Sequence, residues 1–186
     1  VKKECFPPYL TLNFKFPAFS DKEKDLPALS ILSTILFAET SDLYRKLVVN
    51  EQKARFIAGG PQFSRDPNLV QVAASLLKAE DMQYVKDEIM KALNEAKTKP
   101  IDARKIEDTK SRIRYSFTMS MDSPDAIANS LARFIWLTGD PESINRLYGV
   151  LDTITAQDLM NAAKKYFTPA TMTVGTIAPT EKSPAK

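Results

Sequence analysis

No histidine occurs in the 186 residues. The chain therefore has no imidazole to ligate zinc, to act as a general base or to complete a Ser-His-Asp triad. Its single cysteine, Cys5, excludes an intramolecular disulfide, a cysteine zinc cluster and a C-x-x-C redox pair. With no histidine to deprotonate it, Cys5 is not read as a nucleophile. The remaining candidates are carboxylates. Glu80-Asp81, Asp87-Glu88 and Glu107-Asp108 are adjacent pairs, whereas acid/base work needs two carboxylates converging on a cleft with separated pKa values. Neighbours on one helix diverge by about 100°, so these pairs read as solvated faces and caps among lysines. Arg104, Lys105, Lys110, Arg112 and Arg114 form a basic cluster, interrupted by Glu107 and Asp108. At a net charge of only +3, the cluster reads as a solvated helix face and not as a nucleic-acid surface. Five glycines (Gly59, Gly60, Gly139, Gly149 and Gly175) form neither G-x-G-x-x-G nor a P-loop, so no phosphate cradle is expected. Trp136, with Phe134 and Tyr148, reads as core or helix interface. Residue chemistry alone predicts no catalytic residue, no metal ligand set and no cofactor in this chain.

Any function must then come from the elements and what they position. The length allows one domain, large enough for a core without disulfides. Hydrophobic residues at 44% and charged residues at 26% are ordinary for a globular domain. No apolar run is read as a membrane span. Residues 1–8, with Pro7-Pro8, read as a linker of a longer protein, 9–179 as one domain and 180–186 as a disordered tail. Tyr9 to Phe16 alternates, with Leu10, Leu12, Phe14 and Phe16 on one side, the pattern of a half-buried strand. Asp25 is expected to cap a helix with Pro27 in its first turn, followed by Leu29, Leu32, Ile35 and Leu36 at helical spacing. Ser41 is expected to cap a second, short helix. Ala54 to Ala58 reads as a short strand broken by Gly59-Gly60-Pro61, and Asn68 to Ala79 as a long strand pairing with it.

The second half reads as helices. Val85, Ile89, Ala92, Leu93 and Ala96 form an apolar stripe. Asp102 is expected to cap the helix carrying Ile106, Ile113 and Phe117. Ser123-Pro124 starts a helix with Ile127, Leu131, Phe134 and Ile135 inward and Gly139 at its end. Asp140-Pro141-Glu142 starts another helix. Thr155 and Asp158 form a capping box for the helix carrying Leu159, Ala162, Ala163 and Tyr166. Thr171 to Ile177 returns as a strand. Strands at both ends with helices between predict an α+β fold: a mixed, largely antiparallel sheet with helices on one face. The first, long and last strands should share that sheet, with the stripes beginning at Leu29 and Val85 packed on it.

Four segments carry a resemblance. They are Phe37-Ala38-Glu39-Thr40-Ser41-Asp42-Leu43-Tyr44-Arg45-Lys46-Leu47-Val48; Tyr84-Val85-Lys86-Asp87-Glu88-Ile89; Lys99-Pro100-Ile101-Asp102-Ala103-Arg104-Lys105-Ile106; and Ile154 to Leu159 with Lys165 to Pro169. In order and spacing they resemble the C-terminal, non-zinc-binding domain of insulinase-type (pitrilysin-like) metallopeptidase halves, a family that includes mitochondrial processing peptidase. The resemblance implies that a His-x-x-Glu-His helix in a neighbouring zinc-bearing domain, or in a partner subunit, holds the metal and activates water. This chain would pack beside it and help wall a chamber for a peptide substrate. Some members contact substrate with an Arg and, seven residues later, a Tyr. Alignment on Ala54 puts Val48 and Arg55 at those positions, and neither residue matches. Arg55 stands as the candidate substrate contact, its guanidinium able to donate to a peptide carbonyl. The alternative is a catalytically inactive scaffold subunit of the same family. Family habit favours the bacterial envelope, with an organelle as the other setting.

Overall fold

A computed structural model describes residues 7–178. Strand β1 (Tyr9–Phe16) runs down the middle of a four-stranded sheet with order β2-β3-β1-β4. The other strands are β2 (Ala54–Pro61), β3 (Asn68–Leu76) and β4 (Met172–Ile177). Leu12 lies opposite Val72 on one side and Val174 on the other. All three pairings are antiparallel, so the sheet is antiparallel throughout and not mixed. The alternation in β1 sends Leu10, Leu12, Phe14 and Phe16 into the core together with Val70, Val72, Ala74 and Leu76 of β3. A period of two cannot do otherwise once one face is covered.

Helix α1 (Asp25–Phe37) covers that face against β2. It is apolar nearly all round, and Leu26, Ala28, Leu29, Ile31, Leu32, Ile35 and Phe37 are all buried, as expected of a central helix. The chain then turns through Ser41, whose Oγ accepts from the Tyr44 backbone N–H at 3.1 Å. It enters α2 (Asp42–Tyr44), which continues as a π-helical turn over Arg45–Asn50. By length and composition the stretch Asp25–Asn50 is apolar enough to cross a bilayer, with mean hydropathy 1.2. This corrects the expectation that no segment passes that test. The stretch is interrupted after Phe37, and 56% of its most apolar 18-residue window is buried within the domain, which is how a core helix looks.

Helix α7 (Ala156–Tyr166) lies beside α1 and behind β1. Aromatic contacts fix the junction: Phe14 meets Phe167 edge-on at 5.1 Å, and Phe16 meets Tyr166 at 5.0 Å. Helix α3 (Met82–Thr98) buries Val85, Ile89 and Leu93 in the same core and packs principally on α7. Helix α4 (Ala103–Met119) is capped by Asp102, which accepts from the Arg104 and Lys105 N–H groups at 2.9 and 3.2 Å. Helix α5 (Pro124–Thr138) is capped by Ser123 and ends at Gly139, held at φ 79°. That left-handed turn is where glycine is favoured. Helix α6 (Ser143–Asp152) leads to α7, whose Thr155–Asp158 capping box is formed as predicted.

Four expectations fail. Asp25 is not the cap of α1; Lys24 holds that position, and the Asp25 carboxylate accepts from Lys165 Nζ and Tyr166 Oη, each at 2.6 Å. The acid ties α1 to α7 instead. Gly59 and Gly60 do not break β2, which runs on to Pro61. A Cβ at Gly59 would lie 2.7 Å from the Phe37 ring, so glycine serves close strand–helix approach there. Strand β3 stops at Leu76, short of Ala79. Asp140-Pro141-Glu142, by contrast, leads into α6 as expected: Glu142 holds the position before the helix, and Asp140 Oδ1 accepts from its N–H at 2.9 Å. Most tellingly, Ile127, Leu131 and Ile135 of α5 are exposed and only Phe134 and Leu137 point inward, while Trp136 is 58% exposed and not core.

Candidate functional site

The titratable residues are distributed among structural ion pairs. Asp81 is buried and accepts from Lys53 Nζ at 2.7 Å, and this bond raises the lysine's pKa. Glu80 is exposed and reaches Lys78 at 3.5 Å. Asp87 accepts from Gln83 Nε2 at 2.8 Å. Glu88 pairs with Lys46 at 2.8 Å; that bond, then hydrogen bonding to the Tyr84 side chain, holds the lysine above its usual range. Glu80 and Asp87 are exposed, as solvated faces are, whereas Asp81 departs from that reading in being buried on Lys53.

The basic cluster is likewise committed to the fold. Lys110 is only 4% exposed and donates to Glu107 Oε1 at 2.7 Å and to the Asp152 carbonyl at 2.9 Å. Arg112 donates to Thr40 Oγ1 at 3.0 Å, and Arg114 pairs with Asp152. Two of these five cations thus clamp α4 onto the end of α6, a connection that sequence periodicity does not reveal.

Arg55, the predicted substrate contact, sits in β2 beside the irregularity between Ala54 and Phe56. It is exposed, and no hydrogen bond or ion pair engages it among the described residues. Around it the start of β2 is pinned to α3. Lys53 binds Asp81, Lys46 binds Glu88, and Tyr84 Oη donates to Glu51 Oε2 at 2.9 Å. Gln52 adopts φ 50° at the turn between them. Val48, in the π-helical turn, is partly buried against the core. Cys5 lies outside the described residues.

The sheet surface away from the helices presents a second pattern. Asn13 lies between Gln71 and Thr173, and Thr11 between Ala73 and Gly175. Gln71 Nε2 donates to Asn13 Oδ1 at 2.9 Å, and Asn13 Nδ2 donates to Thr11 Oγ1 at 3.0 Å. Amides and small side chains occupy the middle of this face, and the apolar Tyr9, Phe56, Leu69 and Ile177 lie toward its margins.

These residues do not fit zinc. Histidine is absent, one cysteine exists, and no group of three or more metal-ligating side chains occurs among the described residues. A closed or catalytic zinc site needs at least three such ligands.

An antiparallel sheet with its helices on one face, and no catalytic constellation among the described residues, defines an α+β domain. The chain matches the model of the peptidase M16 inactive domain over residues 4–113, more than half its length. It belongs to that family, the insulinase- and pitrilysin-type zinc proteases, as their inactive domain. No curated protein matches it. Among solved structures it is similar to a protease from Helicobacter pylori (TM-score 0.84, 22% identity), covering 96% of this chain and 42% of that one. It is similar over its whole length to an inactive peptidase domain from Bordetella parapertussis (TM-score 0.81, 20% identity), covering 97% of that chain. It also resembles a chain of complex III2 from Candida albicans (TM-score 0.77, 11% identity), covering 95% of this chain and 44% of that one. At these identities the likeness establishes the fold. The chain spans less than half the length of the Helicobacter and Candida chains.

Proposed function

We propose that this chain is the non-catalytic domain of a zinc metalloendopeptidase: it packs beside a zinc-bearing domain or subunit and forms part of the chamber that holds the peptide substrate. The observation that carries the reading is the family match to an inactive domain in a chain that has no histidine. Zinc chemistry must then reside on the neighbour, and the contribution of this chain is enclosure. Enclosure orients an extended peptide and excludes bulk water, both of which aid hydrolysis performed elsewhere. Arg55 would donate to a backbone carbonyl of the peptide; its exposure and lack of a protein partner are compatible with that role. The match to a complex III2 chain favours a second reading, an assembly subunit without proteolytic work.

Deleting residues 9–178 from the full protein, with the zinc-bearing domain retained, separates the two. Peptide cleavage and bound zinc are then measured. Retained zinc with lost cleavage is the expected result. Unchanged cleavage would overturn the chamber role, and a full protein that never cleaves peptide would establish the scaffold reading.

A further inference from the structure

Helices α1, α4, α5 and α6 do not close completely on one another. Between them lies a half-open cavity of about 280 Å³. Its walls are apolar, built from Ile113, Phe117, Phe134, Leu147 and Leu151, with Phe63 at one side. Ligand pockets usually start near ~300 Å³, and an apolar cavity of only ~150 Å³ can hold benzene. The space is therefore enough for one aromatic ring or a short aliphatic chain.

The polar groups at this cavity all lack carboxylate partners. Ser30, Ser120, Ser130, Arg133 and Tyr148 line it, and no Asp or Glu does. Among the described residues, no hydrogen bond or ion pair engages the Arg133 guanidinium or the Tyr148 hydroxyl. Arg133 is exposed, and its guanidinium lies over the Phe63 ring, 5.4 Å from the centroid. With no protein acceptor, its N–H donors are left for a planar, two-oxygen acceptor such as a carboxylate. Beyond Arg133 the cavity opens into a shallower hollow along Pro61, Gln62 and Phe63, at the end of edge strand β2. Burial pushes the Tyr148 hydroxyl up to about 12, against the opposing influence of Arg114, so at neutral pH it remains a donor.

We infer that this cavity is a binding site for an apolar group that ends in a carboxylate, the ring or chain entering between α4, α5 and α6 and the carboxylate resting on Arg133. Two sources share that chemistry: the C-terminal residue of a peptide and a small free carboxylic acid. The site needs no zinc and no neighbouring domain, so it stands apart from the chamber reading.

The test is a nitrogen-15 NMR titration of the 186-residue chain with 3-phenylpropionate and with N-acetyl-Leu-Phe, each compared with its amide. Both acids should shift resonances of Ile113, Arg133, Phe134 and Leu147, and each amide should bind about tenfold more weakly, the loss of one charge-assisted contact. Arg133→Gln should weaken the acids by a similar factor and leave the amides unchanged; Arg133→Lys should restore part of the loss. Tighter binding of the dipeptide identifies a peptide C-terminus as the source, and equal or weaker binding identifies the small acid. Equal affinity for acids and amides, shifts confined to another surface, or no shifts at millimolar ligand would overturn the proposal. Arg133 is a surface residue, so dispersed spectra of the variants verify folding in the same experiment.

Discussion

Replacing Lys110 by methionine should cost about 2 kcal/mol. The stem of Lys110 is buried, and its ammonium bridges the Glu107 carboxylate and the Asp152 carbonyl, at 2.7 and 2.9 Å. The two contacts are not equivalent. The Glu107 side chain is 68% exposed, so its carboxylate returns to water when the lysine goes, and that arm is worth ~0–1 kcal/mol. The carbonyl arm closes the last turn of α6 with a charged donor. Hydrogen bonds to charged groups contribute ~1.5–3 kcal/mol, and a cation at a helix C-terminus adds ~0.3–1 kcal/mol. Methionine keeps the length and apolar packing of the stem, so little cavity energy enters. Urea denaturation followed by circular dichroism should give a loss of ~1.5–3 kcal/mol, or roughly 3–12 °C in Tm for a domain of this size. Glu107→Gln should lose less than ~0.5 kcal/mol, as surface changes do. Added salt should leave the Lys110→Met loss intact, because buried pairs are screened little. Equal losses for the two variants, or a Lys110→Met loss under ~0.5 kcal/mol, would refute the view that the buried carbonyl carries the interaction.

Leu32→Ala and Ile89→Ala each empty a fully buried site and should cost ~2–5 kcal/mol in denaturant melts. Gly59→Ala should cost ~1–3 kcal/mol as overpacking, since the new methyl meets the buried Phe37 ring; Phe37→Leu in the same chain should recover part of it. Because the Tyr148 hydroxyl titrates near 12 when folded and near its ordinary value of 10 when unfolded, the unfolded chain releases its proton first as pH rises. Stability from this group is complete below pH 10 and is lost between about pH 10 and 12. Equilibrium melts across that range should show a shallower decline for Tyr148→Phe than for the parent.

Local patterns were readable wherever a residue's role is settled by near neighbours. The alternation in β1, the caps at Ser41, Asp102 and Ser123, the box at Thr155–Asp158 and the glycine after α5 all appear as expected. Helical periodicity also marked α5 as amphipathic, but it could not say what covers the Ile127–Leu131–Ile135 stripe. Within the domain nothing buries it. Asp25 misled because a cap and a cross-helix anchor present the same residue type at the same place; Lys165 and Tyr166, some 140 positions away, decide between them. Gly59-Gly60 misled because glycine serves turns and tight approaches equally. The Arg133 cavity was invisible for the same non-local reason, as four helices contribute to it. Its one sequence signal is an arginine set within Leu131-Ala132-Arg133-Phe134-Ile135, a charge in an otherwise apolar run.

Because β1 is the central strand and β4 pairs with it antiparallel, Tyr9 lies directly opposite Ile177. The two ends of the folded unit therefore leave from one corner of the sheet, separated by about the 4.5–5.5 Å of a cross-strand pair. A unit tethered this way behaves as a cassette. It can be excised or spliced into another chain with little displacement of what flanks it. It can also swing as one body about a single corner, while its helical layer and its uncovered sheet face keep their relation to each other. Joining residues 9 and 177 through a short linker and opening the chain elsewhere, for instance between β2 and β3, should leave the core assembled.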